Sequence, residues 1–199
     1  MLRIGVTGRM ASGKSTVARR FEAKGATRVD GDALGWETLR DPEVKSAIAS
    51  AFGAEMLDGA GEVNRGRLGA VVFREGAAMS RLNAIVQPRL LARVRAALDA
   101  ATGSVVVLDA ALVSTWGLES ELDGVVEVSA SPDVRARRLS DARGGAEAAA
   151  RERIEGQSLP PLGPTRAYWR IENDADLDEL TRRADLIWDE IMKLDSKSP

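Results

Sequence analysis

Short apolar runs alternate along the chain with longer stretches of mixed polarity. Leu2 to Thr7, Ala26 to Val29, Val105 to Leu108 and Val125 to Ser129 are the firmest runs, and Tyr168 to Ile171 is a weaker one. None alternates cleanly between apolar and polar positions, which is the pattern of strands buried on both faces of a parallel sheet. Between these runs the period lengthens. Lys14 to Lys24 reads as a helix, Leu82, Val86, Leu90, Val94 and Leu98 line one face of a long helix, and Leu177, Leu180, Ala184, Ile187 and Ile191 mark another. Asp176 followed by Glu179 predicts a capping box at the start of that last helix, with Asp replacing the usual hydroxyl.

Gly53 to Gly66 reads as a loop between helices, and Arg143 to Ala150 is rich in Gly and Ala. Ser158 to Pro164 holds three prolines and a glycine and is excluded from regular helix. The tail at 196–199 is expected to fray. No repeat is visible, and no linker is long enough to require two independent domains. Strands alternating with helices predict one three-layer α/β unit, with a parallel five-stranded sheet and right-handed crossovers.

Composition narrows the chemistry. With 199 residues, 44% of them apolar, the chain supports one full core. A formal charge of −2 gives no whole-molecule field for nucleic acid or an anionic membrane. There is no cysteine and no histidine, which excludes disulfides, thiolate nucleophiles, histidine acid–base catalysis and histidine-ligated zinc. Chemistry must rest on Asp, Glu, Lys, Arg, hydroxyls, backbone amides and a hard metal ion. The opening apolar stretch is too short for a signal peptide, and no run approaches transmembrane length. A soluble cytoplasmic protein is expected, monomeric or weakly self-associating, with a small-molecule substrate and neither nucleic acid nor membrane as partner.

The strongest chemical signal is Gly8-Arg9-Met10-Ala11-Ser12-Gly13-Lys14-Ser15, a Walker A pattern set between a predicted strand and a predicted helix. Gly8 and Gly13 let the backbone bend around phosphates. The amides of the loop and first helical turn bind anionic oxygens. Lys14 reaches the β and γ phosphates of ATP, Ser15 offers its hydroxyl to Mg²⁺, and Thr16 adds a hydroxyl near the α-phosphate. Arg9, Met10 and Ala11 form the rim. Arg9 either touches phosphate or is solvated.

Asp30 and Asp32 follow the second strand, where ligands bind in open α/β sheets. Asp32 is read as the base that orients and deprotonates an acceptor hydroxyl, and Asp30 as a supporting or metal-water ligand. The rival reading makes both structural, one of them a helix cap. Asp109 ends the third strand and is like the acidic group that holds Mg²⁺ or its water, unless it caps a helix. Arg135, Arg137, Arg138, Arg143, Arg151 and Arg153 crowd two predicted helices and their connecting turn. They suit either a mobile lid that meets phosphoryl charge or a solvated surface.

The order of features resembles the dephospho-coenzyme A kinase family over nearly the whole chain, from the first strand to about Asn173 and the last helix. Ile4-Gly5-Val6-Thr7-Gly8 and the phosphate loop open the resemblance. Val29-Asp30-Gly31-Asp32-Ala33-Leu34 is similar to the family's Asp-Ala-Asp segment. Phe52-Gly53, Leu57-Asp58 and Gly61-Glu62-Val63-Asn64-Arg65 match a characteristic loop, and Arg67-Leu68 and Val72-Phe73 follow at the expected spacing. Leu82 to Pro88 resembles Leu-x-x-x-x-His-Pro, Arg153-Ile154 and Gln157 resemble the end of the lid, and Ile171-Glu172-Asn173 resembles the family's Ile-Asp-Asn.

The resemblance implies a P-loop NTPase fold of the nucleoside monophosphate kinase type. It implies a helical acceptor-binding region over 33–98 and a lid over 138–157. It also implies use of ATP and Mg²⁺ to phosphorylate the ribose 3′-hydroxyl of dephospho-coenzyme A. Asp32 would be the base, Arg65, Gln87 and Asp109 would serve the acceptor side, Asn173 the adenine pocket and Arg143 the lid.

This chain departs from that pattern in places. Arg9 and Ala11 replace glycines, and Gln87 replaces a histidine. Ala110-Ala111-Leu112-Val113-Ser114 replaces Pro-Leu-Leu-Phe-Glu, and Tyr168-Trp169 replaces an Asp-Tyr pair. Ala142 stands at the usual lid arginine, with Arg143 one position later. In a loop that shift is absorbed, but on a rigid helix it turns the side chain by about 100°. Three functions stay open: the kinase itself or a paralogue for another nucleotide-like or pantetheine-like alcohol, a nucleotide-binding regulator with little catalysis, and a nucleic-acid protein using the arginines.

Overall fold

The structure is a computed structural model that describes residues 1–72, 74 and 76–195. The expected frayed tail at 196–199 and Phe73 of the Val72-Phe73 pair lie outside the described residues, as does the side chain of Arg143. The chain divides into two compact units. One comprises Met1–Gly31 and the chain from Leu98 onward, and the other comprises Asp32–Ala97.

The first unit is a three-layer α/β structure around a parallel sheet. Its strands are β1 (Leu2–Thr7), β2 (Thr27–Asp30), β3 (Val105–Asp109), β4 (Gly124–Ser129) and β5 (Tyr168–Glu172), in the order β2-β3-β1-β4-β5. β1 is central. Leu2 to Val6 pair with Val105 to Asp109 on one side, and Ile4 to Thr7 pair with Gly124 to Glu127 on the other. Asp30 lies opposite Asp109 in the β2–β3 ladder. Because all strands run the same way, Thr7, Asp30, Asp109, Ser129 and Glu172 end at one edge of the sheet, the edge at which ligands bind in such folds.

Helix α1 (Lys14–Ala23) and the final helix (Leu177–Asp195) cover one face. Ile4, Val6, Val107 and Val128 from the sheet pack on Val17 and Phe21 of α1 and on Ala184 and Ile191 of the final helix. Each large apolar side chain so buried contributes about 1.5–3 kcal/mol. The Phe21 and Trp188 rings sit 5.5 Å apart at a tilt, a favourable aromatic geometry. The expected cap of the final helix is half present. Asp176 Oδ1 accepts from the Glu179 amide at 2.9 Å, but the Glu179 carboxylate accepts from Arg182 and Arg183 instead. Those two guanidinium groups hold the Glu179 pKa down at about 2.

The second unit is helical. It contains α2 (Gly31–Thr38, from its second residue), α3 (Pro42–Phe52), α4 (Arg65–Val72) and most of α5 (Gly76–Ala100). Val44, Ile48, Met56, Leu68 and Val72 form its centre, with Leu82, Ile85 and Val86 packed alongside. The stretch from Gly53 to Gly66, expected to be one loop, gives way to helix at Arg65. Asn64 is the reason: its side chain accepts from the Arg67 amide at 3.0 Å and its carbonyl accepts from the Leu68 amide, so α4 starts there. α5 continues through Pro88, which removes one donor from the helical ladder.

The remaining helices belong to the first unit: α6 (Val113–Trp116), α7 (Pro132–Arg143), α8 (Glu147–Glu155) and α9, the final helix. α1 and α9 are pinned together by charge as well as by the core. Arg20 donates two bonds of 2.7 Å to the Asp185 carboxylate, and Lys24 Nζ lies 3.1 Å from it. The Arg20 bond, followed by the Lys24 contact, holds the Asp185 pKa at about 2, below its ordinary 3.8. A depressed carboxylate stabilises the fold fully above its unfolded pKa, and that stability is lost as pH falls through the folded pKa. Thermal unfolding of Asp185→Asn and the parent should therefore differ most at neutral pH and converge between pH 3.8 and about 2. A gap of equal size at pH 6 and pH 2 would show that this pair contributes nothing pH-dependent.

Candidate active site

Between β1 and α1 the chain makes the loop expected from the glycine-lysine-serine pattern. Gly13 ends it at a left-handed φ of 99°, and the Thr16 and Val17 amides bond back to the Gly13 carbonyl as α1 begins. Glycine is required here on contact grounds too. A Cβ at Gly13 would stand 2.3 Å from Asn173 Nδ2, and one at Gly8 would stand 2.2 Å from the Val128 carbonyl oxygen. Asn173, itself buried, donates from Nδ2 to the Ser12 carbonyl at 2.7 Å. Gln157, at the end of the lid segment, accepts from the Met10 amide at 2.8 Å. Met10 and Ala11 also pack against Ala136, Leu139, Ala150 and Ile154 of α7 and α8. The loop is thus held from β5's end and from the α7–α8 pair.

Asp109, 1% exposed, gathers the charged residues at the strand ends. Its Oδ1 accepts from Ser15 Oγ at 3.3 Å and lies 3.5 Å from Lys14 Nζ. Its Oδ2 accepts from Arg28 Nε at 3.2 Å and Nη2 at 2.6 Å. Arg28 Nη2 also reaches Asp30 Oδ2 at 2.8 Å, as the two-residue period of a strand allows. Burial opposes the Arg28 charge, but Asp109 and Asp30 more than offset it and raise its pKa.

Of the candidates from sequence, Lys14, Ser15, Asp109 and Asp30 therefore come together, with Asp30 joined through Arg28. Arg28 itself was missed. Its signal was a charged residue two positions before Asp30 inside a strand. Asn173 joins the loop, and so does Gln157. Asp32 is exposed in the first turn of α2, in the helical unit. There too the Arg65 guanidinium stacks 3.8 Å from the centre of the Trp36 ring, and Gln87 lies half-buried in α5. Residues 142 and 143 both belong to the last turn of α7, which Gly144 closes, so the one-residue shift at the lid falls on helix.

The donors suit the groups expected. Ser15 and Asp109 offer hard oxygens of the kind Mg²⁺ takes. Among the described residues no three acidic, Cys or His side chains gather to cage a metal, so such an ion would draw most of its ligands from water and phosphate. For ATP, a cavity of about 250 Å³ opens beside the loop, lined by Gly13, Thr16, Arg138, Asn173, Leu177 and Leu180. Arg138 donates to Asn173 Oδ1 at 3.3 Å across its edge. Ser12 Oγ is buried with no partner, as an acceptor-seeking donor next to a phosphate would be. No helix among the described residues is long and apolar enough to cross a membrane.

The family model for dephospho-CoA kinase matches residues 2–179. A dephospho-CoA kinase of Thermobifida fusca is 34% identical over 195 residues, covering 97% of this chain and 98% of the relative. One from Mycolicibacterium paratuberculosis is 39% identical over 193 residues and covers 96% of this chain, which spans only 47% of that longer relative. Among solved structures, TT1252 from Thermus thermophilus aligns with a TM-score of 0.75 at 28% identity, covering 95% of this chain and 97% of that one. Dephospho-CoA kinase from Campylobacter jejuni aligns at 0.65 with 19% identity, over 96% and 97%, a likeness of fold.

Asp109 is the anion on which this cluster turns. Asp109→Ala takes a carboxylate from half-buried Arg28, which keeps its contact with Asp30, and should destabilise the protein by about 1–3 kcal/mol. The double change Arg28→Met with Asp109→Leu removes this ion pair, though Lys14 and Asp30 stay beside it, and should recover part of that loss. Urea unfolding of both variants measures it, and a double variant as unstable as the single one would refute the charge account.

Proposed function

Because the chain belongs to the dephospho-CoA kinase family, we propose that it transfers the γ-phosphoryl group of ATP to the ribose 3′-hydroxyl of dephospho-coenzyme A. The observation that carries this reading is the buried Asp109 carboxylate against Ser15 and Lys14 at the foot of a phosphate loop. That arrangement suits a nucleoside triphosphate donor, and the family supplies the acceptor.

In this reading the loop amides and Lys14 hold the β and γ phosphates. Ser15 and Asp109, with Asp30 in support, would hold Mg²⁺ or its water, and that ion would supply neutralisation of the phosphate charge. Asp32 accepts the proton of the 3′-hydroxyl as its oxygen bonds to the γ-phosphorus. The bond from that phosphorus to the bridging oxygen breaks, and ADP leaves with the electron pair. Asn173 keeps the loop closed around the donor and borders the cavity that would take adenine. Arg65 and Gln87 serve the acceptor from the helical unit, and Arg143 is the lid arginine.

A second reading has its own support. Gln87 and the Ala110 to Ser114 segment both replace family residues on the acceptor side. A paralogue acting on another nucleotide-like or pantetheine-like alcohol would carry such changes.

Purified protein with MgATP and a panel of dephospho-coenzyme A, nucleosides and pantetheine derivatives separates the two. The main reading expects ADP and a 3′-phosphorylated product with dephospho-coenzyme A, and none in Lys14→Ala. Asp32→Asn should lower kcat by about 10²–10⁴-fold while leaving ATP affinity unchanged. Turnover with a different alcohol alone would sink the main reading. ATP binding without any acceptor-dependent turnover would favour a regulator.

A further inference from the structure

Arg135 is 4% exposed, yet its Nε and Nη1 have no hydrogen-bond partner. A guanidinium carries five donors and cannot escape burial by losing its proton at ordinary pH. Such a group is expensive to bury unless an anion meets it. Burial, and then the charge of Arg9, lower its pKa. The nearest acid along its helix, Asp133, is already engaged by Arg151 at 2.7 Å.

Its location gives the unmade bonds a meaning. Among the described residues, the buried side-chain polar atoms without a partner are Ser12 Oγ, Arg135 Nε and Nη1, and Arg138 Nη1. Every one belongs to the phosphate loop or to α7. The two elements are in contact, since Ala136 and Leu139 pack on Met10 and Ala11. Arg9, on the loop, and Arg135, on the helix, are close enough for one charge to act on the other. Two cations drawn together, with donors left open, describe a place prepared for negative charge.

We propose that Arg135, supported by Arg9, is a buried cation that binds the polyphosphate chain of the nucleotide held at Gly8 to Thr16. This rests on the donor half of the function proposed above and is independent of the acceptor. Dephospho-coenzyme A also contains a diphosphate, but the residues around Arg135 are those of the donor loop, which assigns it to the donor.

Calorimetric titration with three probes tests it: tripolyphosphate, MgADP and dephospho-coenzyme A. Arg135→Met, which keeps length and bulk, should weaken tripolyphosphate and MgADP by at least about tenfold, the value of one charge-assisted hydrogen bond. Its affinity for dephospho-coenzyme A should not change. Arg135→Lys should recover part of the loss, and the ligand-free melting midpoint of Arg135→Met should hold or rise, because an unpaired charge has left the interior. Unchanged tripolyphosphate and MgADP binding in a folded Arg135→Met protein overturns the proposal, as does a loss confined to dephospho-coenzyme A. If Arg135→Met does not fold, Arg135→Lys and the exposed Arg9→Ala decide: weaker binding in both supports it, and unchanged binding in either overturns it. None of these measurements needs turnover, so a wrong acceptor would leave the result standing.

Discussion

The organisation of the first unit depends on a dry carboxylate. Asp109 ends β3 at 1% exposure and is held by Arg28 from β2 and by Lys14 and Ser15 from α1. Three elements that the chain delivers separately are thereby fixed against one another at the sheet edge where a ligand binds. The same contacts prepare the donors. A lysine and a serine next to a buried anion are held in place by it, as donors preorganised for a phosphate would be. Arg28 makes this tenable, because a buried carboxylate with partners only on one side would carry a heavy desolvation cost.

The opposite bank of the loop is built differently. Where the Asp109 side is satisfied, the α7 side has donors left over. Met10 gives its amide to Gln157 and Ser12 gives its carbonyl to Asn173, so the loop's backbone is anchored while the Ser12, Arg135 and Arg138 side chains keep open donor positions. Interiors rarely tolerate unmade hydrogen bonds without a functional reason. One bank thus settles the loop's shape and the other retains capacity for charge.

Much of this was legible along the chain, for identifiable reasons. A strand covered on both faces must be apolar throughout, so Val105 to Leu108 announced β3 and the polar Asp109 announced its end. The phosphate loop was legible because its glycines and lysine answer to local geometry alone. Arg28 was not. A charged residue in a short strand reads as facing solvent, and only the approach of Asp109, 81 positions later, makes it a half-buried partner. Gln157 on Met10 is a contact across 147 positions and leaves no local trace beyond the family pattern. The half-formed cap at Asp176 shows the same limit, because Glu179 had better partners in Arg182 and Arg183 than the backbone it was expected to reach.

Three of the departures from the family pattern, Arg9, Ala11 and Ala142, fall on the phosphate loop and on α7. Ala11 stands where a glycine is usual and keeps a left-handed φ of 60°, a conformation that costs an L-residue roughly 1–2 kcal/mol. A glycine would relax that strain but would give α7 no methyl to pack on, and Ala11 is in contact with the α7–α8 cluster. Arg9 replaces another glycine on the same loop, and Ala142 replaces the lid arginine. Positions 135 and 142 are seven apart in α7, about 20° short of two full turns, so they share a face some 10 Å apart along the axis. A cation at 142 would sit in the last turn of the helix and depend on that end coming close. At 135 it sits in the first turn of α7, six residues after the end of β4. The strained alanine that packs against α7 and the buried arginine within α7 thus lie on two elements that are in contact.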